Sequence, residues 1–165
     1  MMLGLLVALA VSNTDPAGES RISALAGSPW GLLTSCSYLY RGPCGAPASL
    51  GIRFEHQVLE GHLWSAPHAL SLGAGLELQG LVGGGPGVAL GTLPMGLVRW
   101  GVWVAPWLEL SAALELGAQV LPSAFQVVLF YWNATLAARV QVSRAWFLSL
   151  EVGPSAGRVL VGMRW

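Results

Sequence analysis

The fourteen residues Trp107–Val120, WLELSAALELGAQV, constrain the chain more than any other stretch. Two glutamates sit inside a run of leucine and alanine. On a helix, at about 100° per residue, Leu108 and Leu110 point to nearly opposite sides, while Leu108, Ala112, Glu115 and Gln119 share a face. No apolar stripe separates from a polar one. On a strand, successive side chains face opposite ways. Leu108, Leu110, Ala112, Leu114, Leu116, Ala118 and Val120 then share one face, and Trp107, Glu109, Ser111, Ala113, Glu115, Gly117 and Gln119 the other. The separation is complete, and the segment reads as a strand.

The same alternation recurs in Ser49–Val58, Ser71–Val82, Gly96–Val104, Gln126–Val142, Trp146–Val152 and the C-terminal Arg158–Trp165, which makes seven strands. An eighth has to come from the N-terminal part. Gly31–Tyr40 and Arg21–Gly27 are both open candidates, because neither alternates cleanly.

The charges fall on one face only. Arg53, Arg99, Arg139, Arg158 and Arg164 lie on the polar faces with Glu55, Glu77, Glu109, Glu115 and Glu151, five of each sign. No apolar face carries a charge. The other six, Asp15, Glu19, Arg21, Arg41, Glu60 and Arg144, belong to the N-terminal region or to turns. The chain is 54% hydrophobic and only 10% charged, where soluble domains carry about a quarter of their residues charged. A soluble sandwich would put charges on its outer faces. Here the outside is the apolar face, and lipid cannot satisfy an open sheet edge, so the sheet has to close. The expected fold is all-β: a transmembrane antiparallel up-and-down β-barrel of eight strands. Its lumen is just wide enough to be filled by side chains, so the ten charges form a paired network there. Membrane helices do not fit. Leu78–Val98 is crowded with glycine and proline, and Leu116–Ala138 holds polar residues and alternates like a strand.

Short turns at Ala105–Pro106 and Ser143–Arg144 fall at one end, and longer links at Gly83–Pro94 and Arg41–Ala48 at the other. Short turns mark the periplasmic end of such barrels. Trp30, Trp64, Trp107, Trp146 and Trp165 are expected near that end as an interfacial aromatic girdle. Residues 1–12, MMLGLLVALAVS, read as a truncated signal peptide, with an Ala8-Leu9-Ala10 cleavage pattern and no basic segment. Residues 13–29 read as a periplasmic lead-in or plug, and residues 30–165 as the barrel. Cys36 and Cys44 are expected to form a disulfide in an oxidising periplasm.

Little in the chain suggests chemistry. Zero net charge excludes an electrostatic footprint for nucleic acid. His62 and His68, in the Glu60–Ala69 link, and His56 on an apolar face match no metal-ligand spacing. GGGPG at Gly83–Gly87 lacks the Lys-Ser/Thr of a phosphate loop. No catalytic residue, metal or cofactor is expected.

The C-terminal GRVLVGMRW, with Val159, Val161, Met163 and the terminal aromatic Trp165, resembles the targeting signal of bacterial outer-membrane barrels. The chain from about Gly31 to Trp165 is similar in pattern to the small outer-membrane proteins, the class containing the membrane domain of outer membrane protein A. Its terminal residue is Trp where Phe is commoner. The resemblance implies a monomer in the bacterial outer membrane, surrounded by outer-membrane lipid and inserted by the barrel-assembly machinery. Three functional readings follow in order: a structural or surface-interaction role, a narrow pore or small-molecule transport element, and a lipid-modifying enzyme. The last would need a His–Ser pair brought together in space.

Overall fold

The computed structural model describes residues 14–15, 18–29, 46–63, 65–82, 91–121 and 127–165. Eight strands form a wall: β1 (Ser20–Ser28), β2 (Ala46–Leu63), β3 (Ala66–Val82), β4 (Gly91–Ala105), β5 (Leu108–Leu121), β6 (Val127–Gln141), β7 (Trp146–Val152) and β8 (Gly157–Arg164). Each pairs antiparallel with its neighbours in the chain, and β8 pairs back onto β1, so the sheet is a closed up-and-down barrel. A two-residue strand, Thr14–Asp15, adds to the end of β2 opposite Gly61 and Glu60.

The register sets the barrel's shape. Followed across the rungs from Val128, the line runs through Val120, Thr92, Leu78, Leu50, Ala26, Val159 and Leu150 and returns to β6 at Ala138. The return is displaced by ten residues, which for eight strands corresponds to a tilt of roughly 40°. At that tilt the interior admits side chains and little else.

Alternation then sorts the residues. Leu50 (66% exposed), Ile52, Leu76, Leu114, Leu136, Leu150 and Val161 stand outward, whereas Arg53, Arg99, Arg139, Glu77, Glu115 and Glu151 are buried inside. The core of this protein is its charged face, and the exposed face is apolar. The lumen also takes Leu25, Leu93, Met95, Leu97, Phe147 and Leu160, which fill the space between the charged groups.

Several sequence boundaries move. The first barrel strand is Ser20–Ser28, so residues 20–28 are wall and not part of a lead-in or plug, and the barrel starts ten residues before position 30. The segment is hard to read because its inward face, Arg21, Ser23 and Leu25, mixes a charge with a leucine, and its outward alanines are small. The other candidate, Gly31–Tyr40, lies outside the described residues, as do the signal segment 1–12 and both Cys36 and Cys44. The Glu60–Ala69 link is instead a tight hairpin between the long strands β2 and β3. A bulge between Gln57 and Leu59 shifts the register there, which ended the visible alternation at Val58. Likewise Gly91–Pro94 opens β4 and Ala46–Ala48 opens β2, so both long links are shorter than the sequence suggested.

A Cβ on Gly101 would overlap the Glu109 carboxylate on the facing strand. Folded in detergent, the protein is expected to change gel mobility on boiling and to give a β-type circular dichroism spectrum. Gly101→Val should lose that mobility shift at a temperature several degrees lower; an unchanged transition would show that the lumen there is loosely filled.

Candidate functional site

The lumen charges form a single file along the barrel. From the short-turn end the order is Arg164, Glu19, Arg21, Glu109, Arg139, Glu55, Arg99, Glu151, Arg53, Glu115, Arg158 and Glu77. Signs alternate at every step. The N···O separations are 3.2 Å for Arg164–Glu19, 2.6 Å for Glu19–Arg21, 3.1 Å for Arg21–Glu109 and 3.3 Å for Glu109–Arg139. Arg139–Glu55 follows at 3.2 Å and Glu55–Arg99 at 3.0 Å, then the short Arg99–Glu151 pair. Glu151–Arg53 and Arg53–Glu115 are both 2.7 Å, Glu115–Arg158 is 2.8 Å and Arg158–Glu77 is 2.9 Å. Every carboxylate except the terminal Glu77 lies between two guanidiniums.

Neutral groups brace the file. Arg99 Nη1 donates to Ser111 Oγ at 3.0 Å, and Asn133 Nδ2 donates to Glu115 Oε2 at 3.2 Å. The Tyr131 hydroxyl accepts from Arg158 Nη2 at 2.9 Å and donates to Glu115 Oε2 at 3.3 Å. Beyond Glu77 the polar chain continues through Gln79, which donates to Glu77 at 3.2 Å, and Gln119, which donates to Gln79 at 2.7 Å. The Arg139 guanidinium also stacks on Phe147, 4.6 Å from the ring centre, and Arg164 lies 5.9 Å from the Trp103 ring centre.

All ten charges predicted for the lumen are in this file. Nine are buried, and Arg164 sits at the rim with 28% of its side chain exposed. Two members were missed. Arg21 is a buried lumen residue rather than part of an N-terminal tail, and Glu19 bridges it to Arg164. The signal that could have found Arg21 is its parity with Ser23 inside the open candidate Arg21–Gly27. Of the predicted girdle, Trp107, Trp146 and Trp165 are exposed at the short-turn end. Trp30 and Trp64 lie outside the described residues. Val159, Val161 and Met163 are exposed on the outer face of β8.

The arrangement offers no free acid, base or nucleophile within the file, since each carboxylate is engaged by arginine. No group of three potential metal ligands occurs among the described residues. His68 is buried edge-on to Trp100, 6.3 Å away, with neither ring nitrogen hydrogen-bonded. On the outer face, however, Ser20 Oγ and His56 Nδ1 lie 2.9 Å apart, an association invisible in sequence because the two are 36 residues apart.

A closed register, an apolar exterior and a buried charged interior define a β-barrel membrane protein with a filled lumen. No protein-family model matches the sequence, and neither does any curated protein. Among solved structures the chain is similar to Ail, the attachment invasion locus protein of Yersinia pestis, solved in complex with the heparin analogue sucrose octasulfate. That match has 13% identity and a TM-score of 0.47, covering 90% of this chain and 99% of Ail. It is also similar to a de novo designed transmembrane β-barrel, at 13% identity and a TM-score of 0.42, over 93% of this chain and 98% of that one.

Removing one partner from a buried pair typically costs about 3–5 kcal/mol, because the remaining charge is stranded. Glu115→Ala, which leaves Arg53 with Glu151 alone and Arg158 with Glu77 alone, is expected in that range, while Arg164→Ala at the exposed rim should stay within about 1 kcal/mol. Urea unfolding of the two variants in lipid vesicles measures the contrast; equal midpoints would mean that the file does not stabilise the barrel.

Proposed function

We propose that this chain is a bacterial outer-membrane β-barrel that acts at its surface, as a structural or interaction element, and not by passing solutes through its lumen. The observation that carries this reading is the unbroken file of alternating arginine and glutamate. An ion moving along the axis would have to displace guanidinium–carboxylate pairs that are buried and hydrogen-bonded, and separating such pairs inside a low-dielectric wall is costly. The apolar exterior suits outer-membrane lipid. The short-turn end is taken as periplasmic, and β8, with Val159, Val161, Met163 and Trp165, is the strand that the barrel-assembly machinery would read. A monomer suffices, since the barrel closes on itself.

In planar bilayers the folded protein is expected to give no stable conductance steps. Reproducible steps from the unaltered protein would overturn the filled-lumen reading in favour of a narrow pore.

One observation favours a second reading. The Ser20–His56 hydrogen bond at 2.9 Å is the kind of pair a lipid-acylating or lipid-hydrolysing site needs, and it faces outward beside Phe54 and Trp165, whose rings are 6.4 Å apart. The Ser20 and Gln57 backbone amides already donate to Trp165 O and Glu19 O, so neither is available as an oxyanion donor. Incubation with phospholipid vesicles is accordingly expected to release no fatty acid. Release that disappears in Ser20→Ala would reinstate the enzyme.

A further inference from the structure

Seven arginines lie among the described residues, and six of them are members of the file. The seventh, Arg144, is exposed at the tip of the β6–β7 turn and has no carboxylate partner among the described residues. In a chain that pairs its arginines so consistently, an unpaired one at the edge of the apolar belt needs an explanation.

The turn that carries it is held tightly. Val142 N and Ser143 N both donate to Trp146 O, at 2.9 and 3.1 Å, and Trp146 N donates to Ser143 Oγ at 3.1 Å. The Gln141 side-chain amide donates to Trp146 O at 3.1 Å and also to the Ser143 carbonyl. Arg164 Nε donates to the Arg144 carbonyl at 3.1 Å, which ties the tip to the end of β8. The backbone under Arg144 is therefore preorganised while its guanidinium is left outward. Beside it are two exposed indoles: Trp146, and Trp107, whose carbonyl accepts from Gln141 N at 2.8 Å. Glu19, which pairs with Arg164, is already engaged by Arg21 as well; Glu60 belongs to β2, three strands away, where Gln57 donates to it, and Asp15 lies opposite Glu60.

We propose that Arg144, flanked by Trp146 and Trp107, is a headgroup site for an anionic phospholipid of the leaflet at the short-turn end. This rests on the membrane-barrel reading above. A guanidinium presents a planar fork of donors that matches phosphate oxygens, and indoles settle at headgroup depth with the N–H toward water. The fixed turn lowers the ordering cost of binding. A cationic guanidinium without a carboxylate partner favours a lipid of net negative charge over a zwitterionic headgroup, whose own cation competes.

The test uses the full chain, folded in zwitterionic detergent micelles containing a small fraction of either phosphatidylglycerol or phosphatidylcholine, with retained lipid counted by native mass spectrometry. The unaltered protein should retain phosphatidylglycerol in preference to phosphatidylcholine. In Arg144→Gln, retention of phosphatidylglycerol should fall roughly fivefold or more, to the phosphatidylcholine level. Equal retention by the variant, or no preference in the unaltered protein, overturns the site. The boiling-dependent mobility shift, measured on the same samples, separates the two levels of failure. If the shift is present and the lipid preference absent, only the Arg144 site is wrong; if the shift itself is missing, the barrel reading fails with it.

Discussion

A carboxylate held between two guanidiniums is the unit on which the rest of this structure depends. Taking an ion out of water costs several kcal/mol even after the surroundings relax, and an isolated pair recovers that only with good geometry. In an alternating file each interior ion has an opposite charge on both sides, so attraction is gained twice for each desolvation. Glu55, Glu109, Glu115 and Glu151 all occupy such positions. The arrangement requires both partners at every step, which is why the lumen face carries arginine and glutamate in equal number.

The file in turn dictates what the neighbouring inward positions can hold. Arginine and glutamate are long, and in a barrel of this diameter glycine at some neighbouring inward positions makes room for them and for the rings they lie against. Gly101 leaves space for the Glu109 carboxylate, and Gly162 leaves space for the Phe147 ring on which Arg139 lies. Closure of the barrel depends on the same chemistry. Arg21 and Arg164 stand directly opposite each other across the β1–β8 seam, a repulsive pairing taken alone, and Glu19 bridges them from just before the first strand. The reciprocal hydrogen bonds between Ser20 and Trp165, both 3.0 Å, complete that seam.

Much of this was legible from alternation. The central strands, such as β5 with Glu109 and Glu115 or β6 with Arg139, have clean two-residue periods because one side faces lipid and the other faces paired charge. Legibility failed where that contrast failed. In β1 the outward residues are small and Leu25 points inward, so neither face declares itself. In β2 the alternation stops at a bulge, although the strand continues to Leu63. The Ser20–His56 contact had no local signature, since it arises from pairing between β1 and β2.

By itself the sequence determined which residues face inward along most strands, that the sheet must close, and that the inner charges balance. Period and composition are local properties, and an apolar outer face leaves no alternative to closure in lipid. Only the tertiary structure decided which charge meets which, because that depends on the ten-residue stagger around the barrel: Arg53 reaches Glu115 and Glu151 on strands that are distant in sequence. The same stagger recruited Glu19 and Arg21 into the file and left Arg144 outside it. A strand's period says which way a side chain points, but the shear of the closed wall says what it finds there.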